Sequence, residues 1–289
     1  MSVRPVLVVG AAGRVGGAVV ASLRSREVPV RALVRDPAAL RARRVGVEVA
    51  RLDLRDPSTF AGAVAGGGAL FVVRPPAIAR VGPTVNAFVD AAVAAGVDHA
   101  VLASVAGADG NRLVPHHRIE THLRATGVAH TLLRPGFFAQ NLLGPYREDI
   151  RRDDRLYVPA GRGQVAFVDV RDIGEVAAQV LVEPSGHVGA AYELTGPQAV
   201  TFDEVAALLS DALGRPIRYE PASALGYARH LRRDGLPLAQ TLVQTVLHVG
   251  LRRGDAAAVD PTLGRLLGHQ PRTVADVIAD HTHLWRPER

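Results

Sequence analysis

Through the first half of the chain, short apolar runs alternate with stretches whose apolar residues recur every three to four positions. That rhythm predicts βαβ units and a parallel sheet, since short apolar runs suit strands buried on both faces. Residues 5–10 (PVLVVG), 28–35 (VPVRALVR) and 47–54 (VEVARLDL) read as the first three strands. Residues 69–73 (ALFVV), 99–105 (HAVLASV) and 130–135 (HTLLRP) read as the next three. From Arg14, the positions Val15, Ala18, Val19 and Leu23 fall on one helical face. A helix is predicted from Pro83 to Gly96, and another begins in LVPHHRIETH at 113–122.

Past Pro135 the rhythm changes. FFAQNLLGPYREDIR predicts a helix, QVAFVDV a strand feeding the helix RDIGEVAAQVL, and AAYELTG (190–196) a further strand. Thr201 with Glu204 has the spacing of a capping box, and Gly214 closes that helix. The final ~70 residues read as helices broken by Gly and Pro. The expected architecture is an α/β doubly wound parallel sheet followed by a smaller, mostly helical C-terminal region on the substrate side. The boundary is placed between 1–155 and 156–289, with interleaving if strand 164–168 returns to the main sheet.

Composition removes several chemistries. No cysteine occurs among the 289 residues, which excludes thiol catalysis, cysteine-ligated zinc and disulfides. All of the Lys+Arg residues are arginine and none is lysine. Arginine keeps its proton at any ordinary pH, so lysine-dependent proton transfer and Schiff-base chemistry are excluded too. The net charge of +6 invites a nucleic-acid reading. The arginines are scattered, however, as singles and pairs such as Arg43-Arg44, Arg151-Arg152 and Arg252-Arg253, and aromatics are only 4%. The expectation is a small-molecule substrate, no nucleic acid and no membrane, since no apolar run approaches the ~18 residues of a span. A cytoplasmic protein, monomeric or homodimeric, is the accompanying expectation.

The motif GAAGRVG (10–16) directly follows the first strand and opens the first helix. Its spacing asks for glycine at Gly10 for the turn, at Gly13 for approach to a pyrophosphate and at Gly16 for helix–sheet packing. Ala12, Arg14 and Val15 complete the loop, whose helix N-terminus would face the phosphates. This is a Rossmann-type dinucleotide site. Arg35, at the end of the second strand, stands where a 2′-phosphate would be clamped, with Arg14 opposite. Asp36 is the rival, able to hold a 2′-hydroxyl instead; the arginines favour NADP(H) over NAD(H). Asp53 and Leu54, after the third strand, would lie beside the adenine, although Asp53 also suits a turn or cap.

GAAGRVG, RALVRDP, LDLRD, SVAGAD, HRIETHLRATGVAHTLLRPGFFAQNL, VAFVDVRDIGEVAAQVL and YELTGPQAVTFDEVAALLSDALGRPI follow one another over nearly the whole chain. In that order they resemble the NmrA-like group of atypical short-chain dehydrogenase/reductases. The resemblance implies a Rossmann core, a small C-terminal substrate region and a preference for NADPH. It also implies one of two lives: reduction of quinones, enones or related carbonyls, or cofactor binding without turnover by a redox-sensing regulator. A non-redox tailoring enzyme on the same fold is a third possibility.

The wider superfamily uses a tyrosine to protonate substrate, a lysine one turn later, and a serine on the preceding strand. Ser104 fills the serine position. All five tyrosines (146, 157, 192, 219 and 227) lie beyond the relevant helix. By register the lysine position falls on Arg118 and the tyrosine position near Val114. His117 is the candidate for the missing proton donor or carbonyl hydrogen bond, its alternative being a helix-start histidine bonded to backbone. His116 and Glu120 share a helix face at i, i+4, as an ion pair or half of a metal site, with Glu120 read as structural. No metal is expected. The rule that ligands sit at the C-terminal ends of parallel strands adds Arg74, Pro75, Pro135, Gly136, Phe137 and, on the next helix, Asn141. His230, Gln240, Gln244 and His248 are polar positions in the helical tail that could line a substrate pocket.

Overall fold

The computed structural model describes residues 4–41 and 47–286, so the Arg43-Arg44 pair lies outside the described residues. Elements are numbered along the chain. The strands are β1 Val6–Val9, β2 Val30–Val34, β3 Glu48–Arg51, β4 Ala69–Val73, β5 His99–Ala103 and β6 Ala129–Pro135, then β7 Arg155–Val158, β8 Gln164–Val165, β9 Ala191–Leu194, β10 Val200–Thr201 and β11 Arg218–Pro221. The helices are α1 Arg14–Ser25, α2 Pro37–Arg41, α3 Phe60–Val64, α4 Ala87–Ala94, α5 Pro115–Ala125, α6 Arg147–Arg152 and α7 Val170–Val182, then α8 Phe202–Leu213, α9 Ala224–Arg233, α10 Leu238–Leu251, α11 Thr262–Leu267 and α12 Val274–His281.

The chain divides into two compact units, 1–135 with 170–194, and 136–169 with 195–289. In the first unit, seven strands form one parallel sheet in the order β3-β2-β1-β4-β5-β6-β9. The first six follow the doubly wound order of dinucleotide-binding sheets, in which the chain reverses direction between β1 and β4. All six predicted strands are present. Leu7, Leu33, Leu70, Leu102 and Phe88 anchor the core, with Phe60 edge-on to Phe88 at 5.2 Å between ring centroids. The buried stripe of α1 is Gly16, Val19, Val20 and Leu23, turned slightly from the apolar reading; Val15 and Ala18 are half-buried. The helix expected from Pro83 starts with a π-turn over Gly82–Asn86 before α4.

The units interleave, as the expected boundary allowed, but the first part ends at 135 and the returning segment is 170–194. Segment 170–194 returns to the sheet because α7 lies against α1 without room for a side chain. A Cβ on Gly174 would sit 2.7 Å from the Ala18 carbonyl carbon. The next strand, β9, then pairs with β6, Leu133 opposite Tyr192. Strand 164–168 does not rejoin the sheet. Its Val168 amide donates to the Phe137 carbonyl and its Ala166 amide to the Ala256 carbonyl, while Val165 pairs with Val200.

The second unit is mostly helical with two small two-stranded sheets, β8–β10 antiparallel and β7–β11 parallel. The helix expected over FFAQNLLGPYREDIR is interrupted: a 3-10 turn covers Ala139–Leu143, and α6 starts at Arg147. Pro145 lacks the amide that a continuous helix would need there. The Thr201–Glu204 capping box is present, each side chain accepting from the other's backbone amide, and Gly214 closes α8 at φ 65°. Trp285, Tyr146, Tyr227, Phe167 and Phe202 fill the core. On α10, Thr241 and His248 face inward, whereas Leu242, Val243, Val246 and Leu247 are more than half exposed.

Candidate functional site

At the C-terminal edge of the sheet, β1 turns into α1 through Gly10, whose φ of 68° is costly for any residue with a Cβ. A Cβ there would also meet Val73 Cγ1 at 2.8 Å. At Gly16 a Cβ would lie 2.4 Å from the Gly10 carbonyl oxygen, so glycine is what lets the helix close on the strand. The Gly13 amide donates to the Gly10 carbonyl at 2.8 Å, and Gly13 then caps α1 with no side chain over the helix start. Ala12, Gly13 and Arg14 are exposed around that N-terminus. Amides pointing outward and the positive end of the helix dipole make this a cradle for an anion.

Arg35 directly follows β2, is exposed, and makes no ion pair among the described residues. Asp36 is otherwise engaged, since its Oδ1 accepts from the amides of Ala38 and Ala39 at 3.0 and 3.2 Å and so caps α2. Asp36 thus has one carboxylate oxygen committed to α2, whereas Arg35 makes no ion pair among the described residues. Asp53 behaves as a turn residue, its Oδ1 accepting from the Arg55 amide at 2.9 Å and its own amide donating to Thr59 Oγ1. Leu54 is buried in the sheet core.

The C-terminal ends of β4, β5 and β6 carry the second cluster. Ser104, just past β5, donates its hydroxyl proton to Glu120 Oε1 at 2.6 Å. Glu120 is fully buried on the inner face of α5 and is gripped bidentately by Arg134 of β6, Nε to Oε1 at 3.1 Å and Nη2 to Oε2 at 2.8 Å. Arg124 adds a contact at 3.2 Å, and Arg134 reaches on to Asp109 at 2.8 Å. Burial alone pushes the Glu120 carboxyl up. The Arg134 and Ser104 hydrogen bonds with the nearby arginine charges outweigh it, holding Glu120 below the ordinary carboxylate range. Both Glu120 oxygens are thereby engaged within the fold. Ser104 spends its only donor on that carboxylate, which leaves no hydroxyl proton to orient a substrate carbonyl.

Arg118 does not take the place the register gave it. It lies two residues from Glu120, about 200° around the helix, and it is exposed while Ile119, Glu120 and Leu123 face the sheet. The α5 residue that meets Ser104 is Glu120. His117 is half-buried and its Nδ1 is 2.9 Å from the Ala108 carbonyl, to which it donates. His116 instead faces Arg74, whose Nε lies 3.4 Å from His116 Nε2. Arg74 is anchored to its own loop, Nη1 donating to the carbonyls of Pro75, Pro76 and Ile78 at 3.1, 3.3 and 2.7 Å. That engagement leaves it poorly placed to clamp a cofactor phosphate. Pro135 ends β6 buried, its carbonyl accepting from the Ala106 amide.

The sequence pattern of the NmrA-like family matches residues 3–260. The chain belongs to the NmrA-like family. It is 37% identical over 281 residues to an NAD(P)H azoreductase of Xenophilus azovorans, covering 96% of this chain and 97% of that one. Its fold matches an NADPH-dependent quinone oxidoreductase of Escherichia coli, solved in complex with NADPH, at a TM-score of 0.84 and 29% identity over 95% of this chain and 99% of the other. It also matches the triphenylmethane reductase of Citrobacter sp., complexed with NADP(H), at 0.82 and 26% identity over 96% and 99% of the two chains.

In the second unit of this NmrA-like chain, a buried pair went unrecognised in the sequence. Tyr146 donates its hydroxyl to His248 Nε2 at 2.5 Å, and His248 Nδ1 donates to the Gln244 carbonyl at 2.7 Å. Burial lowers His248 to about 4 and raises Tyr146 well above its ordinary value, so both are neutral. Phe137 stands edge-on to His248 at 5.6 Å and to Phe167 at 5.6 Å. Asn141 is half-buried in the 3-10 turn two residues after Ala139. His230 pairs with buried Asp149 at 2.9 Å, and that hydrogen bond raises it. The structure thus places Phe137 against His248, while His230 belongs to a separate ion-pair cluster.

Proposed function

We propose that the protein is an NADPH-dependent oxidoreductase that reduces a quinone, enone or similar carbonyl acceptor. The observation that carries this reading is the glycine cradle at the start of α1 flanked by exposed Arg14 and Arg35, with the competing Asp36 carboxylate already tied to α2. When bound, NADPH supplies a hydride. The cradle would hold its pyrophosphate through backbone amides, and Arg35 with Arg14 would hold its 2′-phosphate by charge-assisted hydrogen bonds. The azoreductase and quinone oxidoreductase among its relatives support the activity, and the NADP(H)-bound neighbours support the cofactor.

The chain has no lysine, and no tyrosine lies on α5. The interior α5 position beside Ser104 holds a carboxylate locked to Arg134 in place of a proton-transfer pair. An acceptor whose reduced form takes its proton from water tolerates that arrangement, which is why quinones and enones fit better than simple alcohol–ketone pairs. The test mixes protein, NADPH and a panel of quinones and enones, and follows loss of NADPH absorbance. Consumption with at least one acceptor is expected; none with any would overturn the reading.

A further inference from the structure

His116 and His117 are neighbours on α5 but are held in opposite ways. His117 gives its Nδ1 proton to the Ala108 carbonyl. His116 turns Nε2 towards the Arg74 Nε–H. A guanidinium has only donors, so the nitrogen facing it must offer a lone pair, and the ring proton of His116 then resides on Nδ1. Arg74 cannot swing away, because three backbone carbonyls of its own loop hold the other arm of the guanidinium. His116 Nδ1 has no protein hydrogen-bond partner among the described residues and is not among their buried, unsatisfied atoms, so this nitrogen of a half-buried ring is not fully sealed from solvent.

Burial and the Arg74 charge lower His116 to about 4, with the Glu120 carboxylate opposing in part. The imidazole is therefore neutral at physiological pH. Its location is also suggestive: Arg74 follows β4, Ser104 follows β5, and Glu120 lies one turn beyond His116. This is the C-terminal edge of the sheet, beside the β1/β4 reversal where such folds bind ligands.

We propose that His116, fixed by Arg74 as the Nδ1-protonated neutral imidazole, is the hydrogen-bond donor to the oxygen of the carbonyl or quinone acceptor. The proposal rests on the reductase reading above. The acceptor gains two electrons as hydride from NADPH, which becomes NADP+. Negative charge builds on the acceptor oxygen, where the Nδ1–H stabilises it. Water then supplies the proton, its hydroxide passes to buffer, and the imidazole keeps its own hydrogen throughout. Arg74 is the positioning residue, acting through His116 by denying it the other tautomer.

Two readouts test this. With an acceptor the wild type turns over, His116→Phe is expected to lower kcat by about 10²–10³-fold, the usual cost of removing one donor from a developing oxyanion. NADPH affinity should stay unchanged, and His116→Gln, which keeps an N–H, should recover part of the loss. Nitrogen-15 NMR of the imidazoles should show two Nδ1-protonated rings that do not titrate through pH 6.5, those of His116 and His248, and Arg74→Gln should raise the pH at which the His116 ring titrates while leaving the His248 ring unchanged. Turnover that survives His116→Phe, or an Nε2-protonated ring at His116, would overturn the role. Wild-type protein that consumes no NADPH with any acceptor would overturn the reductase reading and this role with it.

Discussion

Glu120 in the first compact unit and the Tyr146–His248 pair in the second are both buried polar centres, and the two solve the same problem in opposite ways. In the first unit, Glu120 keeps its charge in a fully buried position because Arg134 grips both oxygens and Ser104 donates a third hydrogen bond. In the second unit, Tyr146 and His248 stay neutral and share one hydrogen bond among aromatic rings. The charged centre ties β5, α5 and β6 together at the edge where a ligand would sit, through directional bonds. The neutral centre fixes α10 onto the core of its own unit by packing with one hydrogen bond. Charge buys geometry in the first case, and its removal should therefore be the more damaging.

The largest effect is expected from Arg134→Met. It leaves Glu120 buried with only Ser104 and Arg124, and breaking a buried pair from one side costs about 3–5 kcal/mol. Chemical denaturation reads this directly; a loss under about 1 kcal/mol would mean the pair contributes little. Tyr146→Phe should cost less, about 1–3 kcal/mol, the penalty for leaving His248 Nε2 without a donor. A neutral centre that proved as costly to break as the charged one would erase the contrast.

Acid separates the centres by the pH at which each fails. His248 has an ordinary value of 6.5 lowered to about 4 in the fold, so the unfolded chain binds its proton first. Its contribution is complete above 6.5 and is lost as pH falls towards 4. Glu120 is lowered from 4.5, so its contribution survives until the pH drops below that value. His230 works the other way, being raised by Asp149, with stability that is present below 6.5 and lost as pH rises through its raised value. His116 shares the window of His248 in the first unit. A His248→Leu protein, followed by fluorescence of buried Trp285 in the same unit, is therefore expected to lose less stability between those pH values than wild type. An unchanged pH slope would remove His248 from the account of acid sensitivity.

Much of the first unit was legible in the sequence because its signals are local. Its strand runs and glycine spacing each lie within a few residues and are present, and the same holds for the Thr201–Glu204 capping box in the second unit. The pairings that organise the two centres are not local. Arg134 meets a carboxylate 14 residues away, and Tyr146 meets an imidazole 102 residues away. One clue was available: an arginine inside the apolar run HTLLRP must find a carboxylate if that strand is buried. The β7–β11 pairing joins short segments of mixed polarity, so nothing in their periodicity announced it. Among site residues, the helical register on α5 was the weak point. A shift of two positions separates exposed Arg118 from buried Glu120 and turns the reading of the helix around.

The smallest expected effect concerns the cofactor edge, where exposure limits what one side chain contributes. Arg35→Ala should weaken NADPH by about tenfold, ~1.4 kcal/mol, and leave NADH unchanged. Equal losses for both cofactors in a binding titration would show that Arg35 does not hold a 2′-phosphate.

The central claim is hydride delivery without a tyrosine–lysine pair, and isotope transfer tests it most directly. NADPH carrying deuterium on the transferable C4 position is incubated with the protein and an enone, and the product is analysed by mass spectrometry and NMR. The deuterium should appear on a carbon of the reduced enone, with the remaining new hydrogen drawn from water. A reduced product whose new hydrogens all come from solvent, or NADPH recovered with its label and no product formed, would contradict it.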